Sequence, residues 1–84
     1  MDLHEQAEAV NAREDLIVFI EALGRDLASR PEEWENQTLG DFLSAMGAWI
    51  DGMDDWHRNT GKAPDAVPTW RTFARILCAA RIYE

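Results

Sequence analysis

Between residues 39 and 53 the large apolar side chains are Leu39, Phe42, Leu43, Met46, Trp49, Ile50 and Met53, a spacing of i, i+3, i+4, i+7, i+10, i+11 and i+14. That recurrence puts all seven on one side of an α-helix, whereas a strand, with its period of two, would scatter them over both faces. A helix with such a stripe must bury it against another element. Thr38 stands ready to cap it, with Asp41 three residues on as the reciprocal acid. Asp51-Gly52 is a stop signal, but Met53 and Trp56 prolong the stripe, so the helix is expected to run to about Asp55.

The same period recurs on either side. Leu16, Phe19, Ile20, Leu23 and Leu27 line one face of a helix expected from about Ala12 to Ser29, with Glu14, Glu21 and Arg25 opposite. Asn11 and Glu14 resemble a capping box at its start. Pro31 suits the first turn of a short helix, Pro31-Glu32-Glu33-Trp34. Residues 57–68, with Gly61, Pro64 and Pro68, read as a loop, and Thr69 caps a last helix. Its expected buried face is Trp70, Phe73, Ile76, Leu77, Ala80 and Tyr83, with Arg71, Arg75, Cys78 and Ile82 on a separate stripe. Leu3, Ala7 and Val10 form a weak stripe out of phase with the helix that follows, so a break is expected near Asn11. Val18 falls on the outer face of the first long helix and Ile17 at its edge. Cover by residues 1–10 is the expected explanation, and contact with another chain the alternative.

The fold class is therefore all-α: three main amphipathic helices plus one short helix in a compact bundle. Residues 1–10 form an N-terminal arm or short helix, and residues 11–84 a single helical domain. At 84 residues and 9.6 kDa, folding would leave about 5,100 Å² of roughly 13,900 Å² accessible, enough for one core only.

The net charge is −8, with 14 acids and 3 bases in residues 1–55 and 2 acids and 5 bases in residues 56–84. That excess opposes attraction to nucleic acid and to anionic lipid, and suits a basic protein partner. The longest strictly apolar run, Leu16 to Ile20, is too short to span a membrane. Met1-Asp2-Leu3-His4-Glu5 lacks the pattern of a secretory signal, so the expected location is cytoplasmic.

Reaction chemistry finds little support. His4 and His57 stand apart from other reactive residues, and Cys78 has no base near it in sequence, so it reads as a half-exposed, inert thiol. One cysteine excludes an internal disulfide and a cysteine-rich zinc site. Asp51, Asp54 and Asp55 gather three carboxylates, yet they depart from the calcium-loop pattern and read as a solvated face. No enzyme activity, metal or cofactor is expected. Arg71 and Arg75 are expected to pair with acids of the first two main helices.

What remains is recognition. Asp41, Ser44, Ala48, Asp51 and Asp55 share one outward face with small or acidic side chains. Asp41, Asp51, Asp54 and Asp55 are the candidate electrostatic contacts to a basic partner. Trp56, flanked by Asp54, Asp55, His57 and Arg58, is the candidate aromatic anchor.

Several short elements resemble a known group. Phe19-Ile20-Glu21-Ala22-Leu23, Trp34-Glu35-Asn36, Thr38-Leu39 with Phe42-Leu43, Pro68-Thr69-Trp70 and the closing Ala79-Ala80-Arg81-Ile82-Tyr83-Glu84 are similar to the small bacterial domain-of-unknown-function 7660 family, over about residues 12–84. The resemblance carries over no catalytic or cofactor residue. In Trp34-Glu35-Asn36 the indole is expected to seal the core while Glu35 and Asn36 bond backbone at the turn before Thr38. The expected function is a noncatalytic acidic protein-interaction domain, in the manner of an immunity or antitoxin-like inhibitor of a basic toxin or nuclease. The alternatives are a structural homo-oligomeric module using Ile17, Val18 and the N-terminal stripe, and a metal-dependent accessory protein.

Overall fold

The computed structural model describes residues 1–63 and 67–84. These form α1 (Leu3–Glu8), α2 (Arg13–Ser29), α3 (Leu39–Asp51), α4 (Met53–Thr60) and α5 (Trp70–Ala80), with a 3-10 turn over Pro31–Glu33 between α2 and α3. No strand occurs among the described residues, so the chain is all-α.

Caps and breakers set the boundaries. α2 begins at the Ala12 N-cap, where the Asp15 carboxylate accepts the backbone N–H groups of Asn11 and Ala12 at 3.0 and 3.1 Å. The reciprocal acid is therefore Asp15, and the expected Asn11–Glu14 pair does not form the cap. Pro31 cannot continue α2 and starts the 3-10 turn instead. Thr38 caps α3, its hydroxyl accepting the Asp41 N–H at 3.2 Å. Thr69 caps α5 in a box with Thr72.

The helix expected to run to Asp55 breaks at Gly52, and the chain restarts as α4, which takes in residues 57–60 of the expected loop. Gly52 closes α3 through its N–H, shared between Ala48 and Trp49 carbonyls. A Cβ at Gly52 would stand 3.6 Å from the Tyr83 hydroxyl, so the C-terminal residues pass close to the break. Gly61 ends α4 with φ of 73°, the left-handed conformation that glycine adopts without steric cost. Pro64 lies outside the described residues.

α5 is the centre of the packing: α1, α2 and α3 all rest on it, while the backbones of α2 and α3 stay more than 8 Å apart among the described residues. The main core joins Leu16, Phe19 and Leu23 of α2 to Ala74 and Cys78 of α5, Ala7 and Val10 of the N-terminal segment, and Trp34. Each large apolar side chain buried this way contributes about 1.5–3 kcal/mol. Trp34 stacks on Phe42 at 6.1 Å between ring centres, which ties the connector to α3.

α5 is rotated from the expected orientation. Ala80 is buried as expected, but Ala74 and Cys78 are buried too, whereas Trp70, Phe73 and Tyr83 are exposed, Phe73 by 50%. The cause is α1. It docks on the stripe of Arg71, Arg75 and Cys78, with the Glu8 carboxylate accepting Arg75 Nε and Nη2 at 2.6 and 2.8 Å. Arg71 donates to the Val10 carbonyl at 3.1 Å and to the Asn11 side chain. Arg75 thus pairs with α1 rather than with the first two main helices, and Arg71 meets amide oxygens rather than carboxylates. With α1 committed to α5, residues 1–10 do not cover Ile17 and Val18, and Val18 is left 63% exposed.

The accessible surface is 5504 Å², roughly 400 Å² above the scaling value for this mass. The radius of gyration is 12.5 Å, against about 11.8 Å for an ideally compact chain of this length.

Candidate functional site

Because α2 and α3 both lean on α5 with their backbones held apart, a groove opens between them. Ile20, Leu23, Gly24 and Leu27 form one wall, Leu39 and Phe42 the other, and Leu77 the floor. Trp34, Asn36, Gln37 and Thr38 close one end, and the volume of the open groove is about 390 Å³. None of these eleven residues has an ionisable side chain. Leu39, 73% exposed, stands at the edge, and Leu43, Ile50 and Ile17 are exposed large apolar residues on the same two helices.

The closed end of the groove is held from beneath. Trp34 is buried and its indole Nε1–H donates to Asp26 Oδ2 at 2.8 Å. The other carboxylate oxygen of Asp26 accepts Arg30. The indole bond and then Arg30 hold the Asp26 carboxyl below its ordinary range against the opposing effect of burial. Asn36 bonds the distant C-terminal turn, its side-chain amide donating to the Ala80 and Tyr83 carbonyls at 2.9 and 2.7 Å and its backbone N–H to Arg81. This differs from the local turn expected of it. Glu35 is exposed.

The four acidic candidates do not line this groove. Asp41 and Asp51 are exposed on α3, and Asp54 and Asp55 are exposed on α4, so the break at Gly52 separates Asp55 from Asp41 and Asp51, the residues expected to share its face. Asp55 pairs with Arg58. Trp56 is half-buried, 5.7 Å from the Trp49 ring and 4.9 Å from the His57 ring, with Arg75 at 5.2 Å and Lys62 at 5.6 Å over its face. Lys62 also reaches Glu8 at 3.1 Å. The two cations, through hydrogen bonds and charge, draw the Glu8 carboxyl down to about 2.

Residues with reactive side chains are occupied elsewhere. His57 is buried on α4, its Nδ1 2.9 Å from the Lys62 carbonyl. Cys78 is 2% exposed rather than half-exposed, with Sγ 3.7 Å from His4 Nδ1, and burial pushes its thiol up despite Arg81 nearby. No cluster of three or more metal-ligating side chains occurs among the described residues. A wider basin of 740 Å³ on the other side of α2 is lined by Asp2, His4, Arg25, Arg30, Glu33 and Arg81 among others. Its cations and carboxylates largely offset one another. The Arg81 Nε buried there has no hydrogen-bond partner among the described residues.

Sequence reasoning missed the groove because Ile20, Leu39, Phe42 and Leu77, which line it, sit on apolar stripes that read as core. A stripe records which face is apolar, and says nothing of whether a neighbouring helix arrives to cover it.

A model of a family of unknown function, DUF7660, matches residues 12–84. No curated protein and no solved structure matches the chain. No helix of the described residues is long and apolar enough to cross a membrane.

Proposed function

The chain belongs to the DUF7660 family, whose function is unknown, and from that premise we propose that it is a noncatalytic acidic protein-interaction domain that binds through the groove between α2 and α3. The observation that carries this reading is an apolar groove without a single ionisable lining residue, on a chain of net charge −8. A pocket of several hundred Å³ with mostly apolar walls and a few polar groups at one end is the usual form of a binding site. The absence of charge from its walls favours recognition over acid–base chemistry. So does the commitment of His57 and Cys78 to internal contacts.

The finer form of the proposal is a cytoplasmic immunity or antitoxin-like inhibitor that masks a basic toxin or nuclease. Asp41, Asp51, Asp54 and Asp55 then speed encounter from outside the groove, and Trp56 serves as a peripheral contact. Affinity purification from the native host tests this with the wild-type chain and Leu39→Ser in parallel. The expected result is a basic protein recovered at low salt by the wild type and lost in the variant. Recovery of no basic partner at low salt refutes the proposal. The exposed Ile17 and Val18 favour a second reading, self-association through α2. Light scattering showing a monomer at high concentration removes it.

A further inference from the structure

We infer that the groove receives an amphipathic helix of another protein, with large side chains on its apolar face and basic residues on its flanks. This rests on the reading of the groove as the binding site and adds what fills it.

Length and volume come first. The wall from Ile20 through Gly24 to Leu27 spans two helical turns, about 10 Å. A helix presents successive anchors at i, i+3 or i+4 and i+7 over the same distance. A closed cavity of about 150 Å³ takes one benzene-sized group, so an open groove of 390 Å³ has room for at least two of those three anchors. Gly24 adds closeness of approach: a Cβ built there meets nothing within 4 Å, so the α2 backbone is open to an incoming helix.

Backbone chemistry then selects a helix over an extended segment. A bound strand needs partners for its N–H and C=O groups. The side walls are hydrocarbon, and no strand edge exists among the described residues. A helix satisfies its own backbone and asks the groove only for apolar contact.

Charge selects the flanks. Residues 13–51, which form both side walls and the connector between them, carry nine acids and three bases. Among the described residues Glu14, Glu21, Glu32, Glu35, Asp41 and Asp51 form no ion pair. Lysines or arginines beside the apolar face would meet this uncompensated field. A second copy of the chain would bring another −8 against it.

The test uses two synthetic peptides of about four turns with identical leucine faces, one flanked by lysine and the other by glutamate. Binding is read by fluorescence anisotropy, and its location by the NMR shift of the Trp34 indole N–H. The lysine peptide is expected to bind, to move the Trp34 signal, and to weaken several-fold at high salt. Gly24→Leu, which fills the groove from a position with room for a side chain, is expected to weaken it at least tenfold while the helical circular dichroism persists. Leu39→Ser, at an exposed position, serves as the second variant.

Equal or tighter binding of the glutamate peptide overturns the inference, as does an unmoved Trp34 signal. So does a dimer of the chain that Gly24→Leu abolishes, since the occupant is then a second copy. If neither peptide binds but an uncharged naphthalene dye enters and shifts Trp34, the helical occupant is refuted and the groove stands. If the dye also fails, the groove reading falls with it.

Discussion

Removing the charge of Glu8 should weaken the docking of α1 on α5, and the size of the effect follows from the geometry. In the Glu8→Gln chain the paired bonds to Arg75 and the contact with Lys62 lose their ionic character. The displacement of the carboxyl from 4.5 to about 2, at about 1.36 kcal/mol per pH unit, bounds the coupling at about 3.4 kcal/mol. Glu8 leaves 32% of its side chain open to water, and solvent screening reduces this to about 1–2 kcal/mol. For a chain of this length that corresponds to a fall in Tm of roughly 4–16 °C at neutral pH. The sign of the pH dependence is fixed. A carboxyl depressed in the folded state stabilises above its unfolded value, so the wild-type advantage is full above about pH 5 and disappears as pH falls towards 2. Urea melts of both chains at neutral pH and at several lower values measure it. No difference at neutral pH, or one that persists undiminished at pH 2, refutes the reasoning.

Three further outcomes follow from individual residues. Trp34→Phe leaves the buried Asp26 Oδ2 without its indole donor and should cost about 1–3 kcal/mol, read as a lower urea midpoint at unchanged slope; a loss below about 0.3 kcal/mol contradicts the assigned bond. Gly24→Ala, in a helix interior with open space at Cβ, should stabilise by about 0.8–1 kcal/mol, and a lower Tm would show that the groove is not open there. Cys78, buried with its thiol pushed up, should resist an aromatic disulfide reagent at mildly alkaline pH and react at once in concentrated guanidinium; immediate reaction of the native chain would contradict its burial.

Helix positions were legible in the sequence where local chemistry determines them. Thr38, Thr69 and Pro31 each act within one turn, and each marks a boundary in the structure. Gly52 was harder to read, because Met53 and Trp56 carry the apolar period across it while the side chain that a Cβ there would touch, Tyr83, is 31 positions away. Rotation of α5 was not legible for a similar reason. Trp70, Phe73 and Leu77 make an apolar stripe as convincing as Ala74 and Cys78 do, and the choice between faces is made by Glu8 through a pairing 67 residues long. The groove was hidden by the same ambiguity: Ile20 and Leu39 look like core residues, and the gap between α2 and α3 leaves them exposed. The acidic candidates were visible as charges, but their division between two helices depended on the break at Gly52.

The six residues of α1 have one further consequence. A helix that short does not persist once detached, so leaving α5 and losing its coil are the same event. The amide hydrogens of its last turn, the shield over the Cys78 sulfur and the carboxylate bridge at Glu8 therefore share one opening rate. Deuterium uptake, thiol trapping and the acid sensitivity of that bridge are three clocks driven by a single escapement.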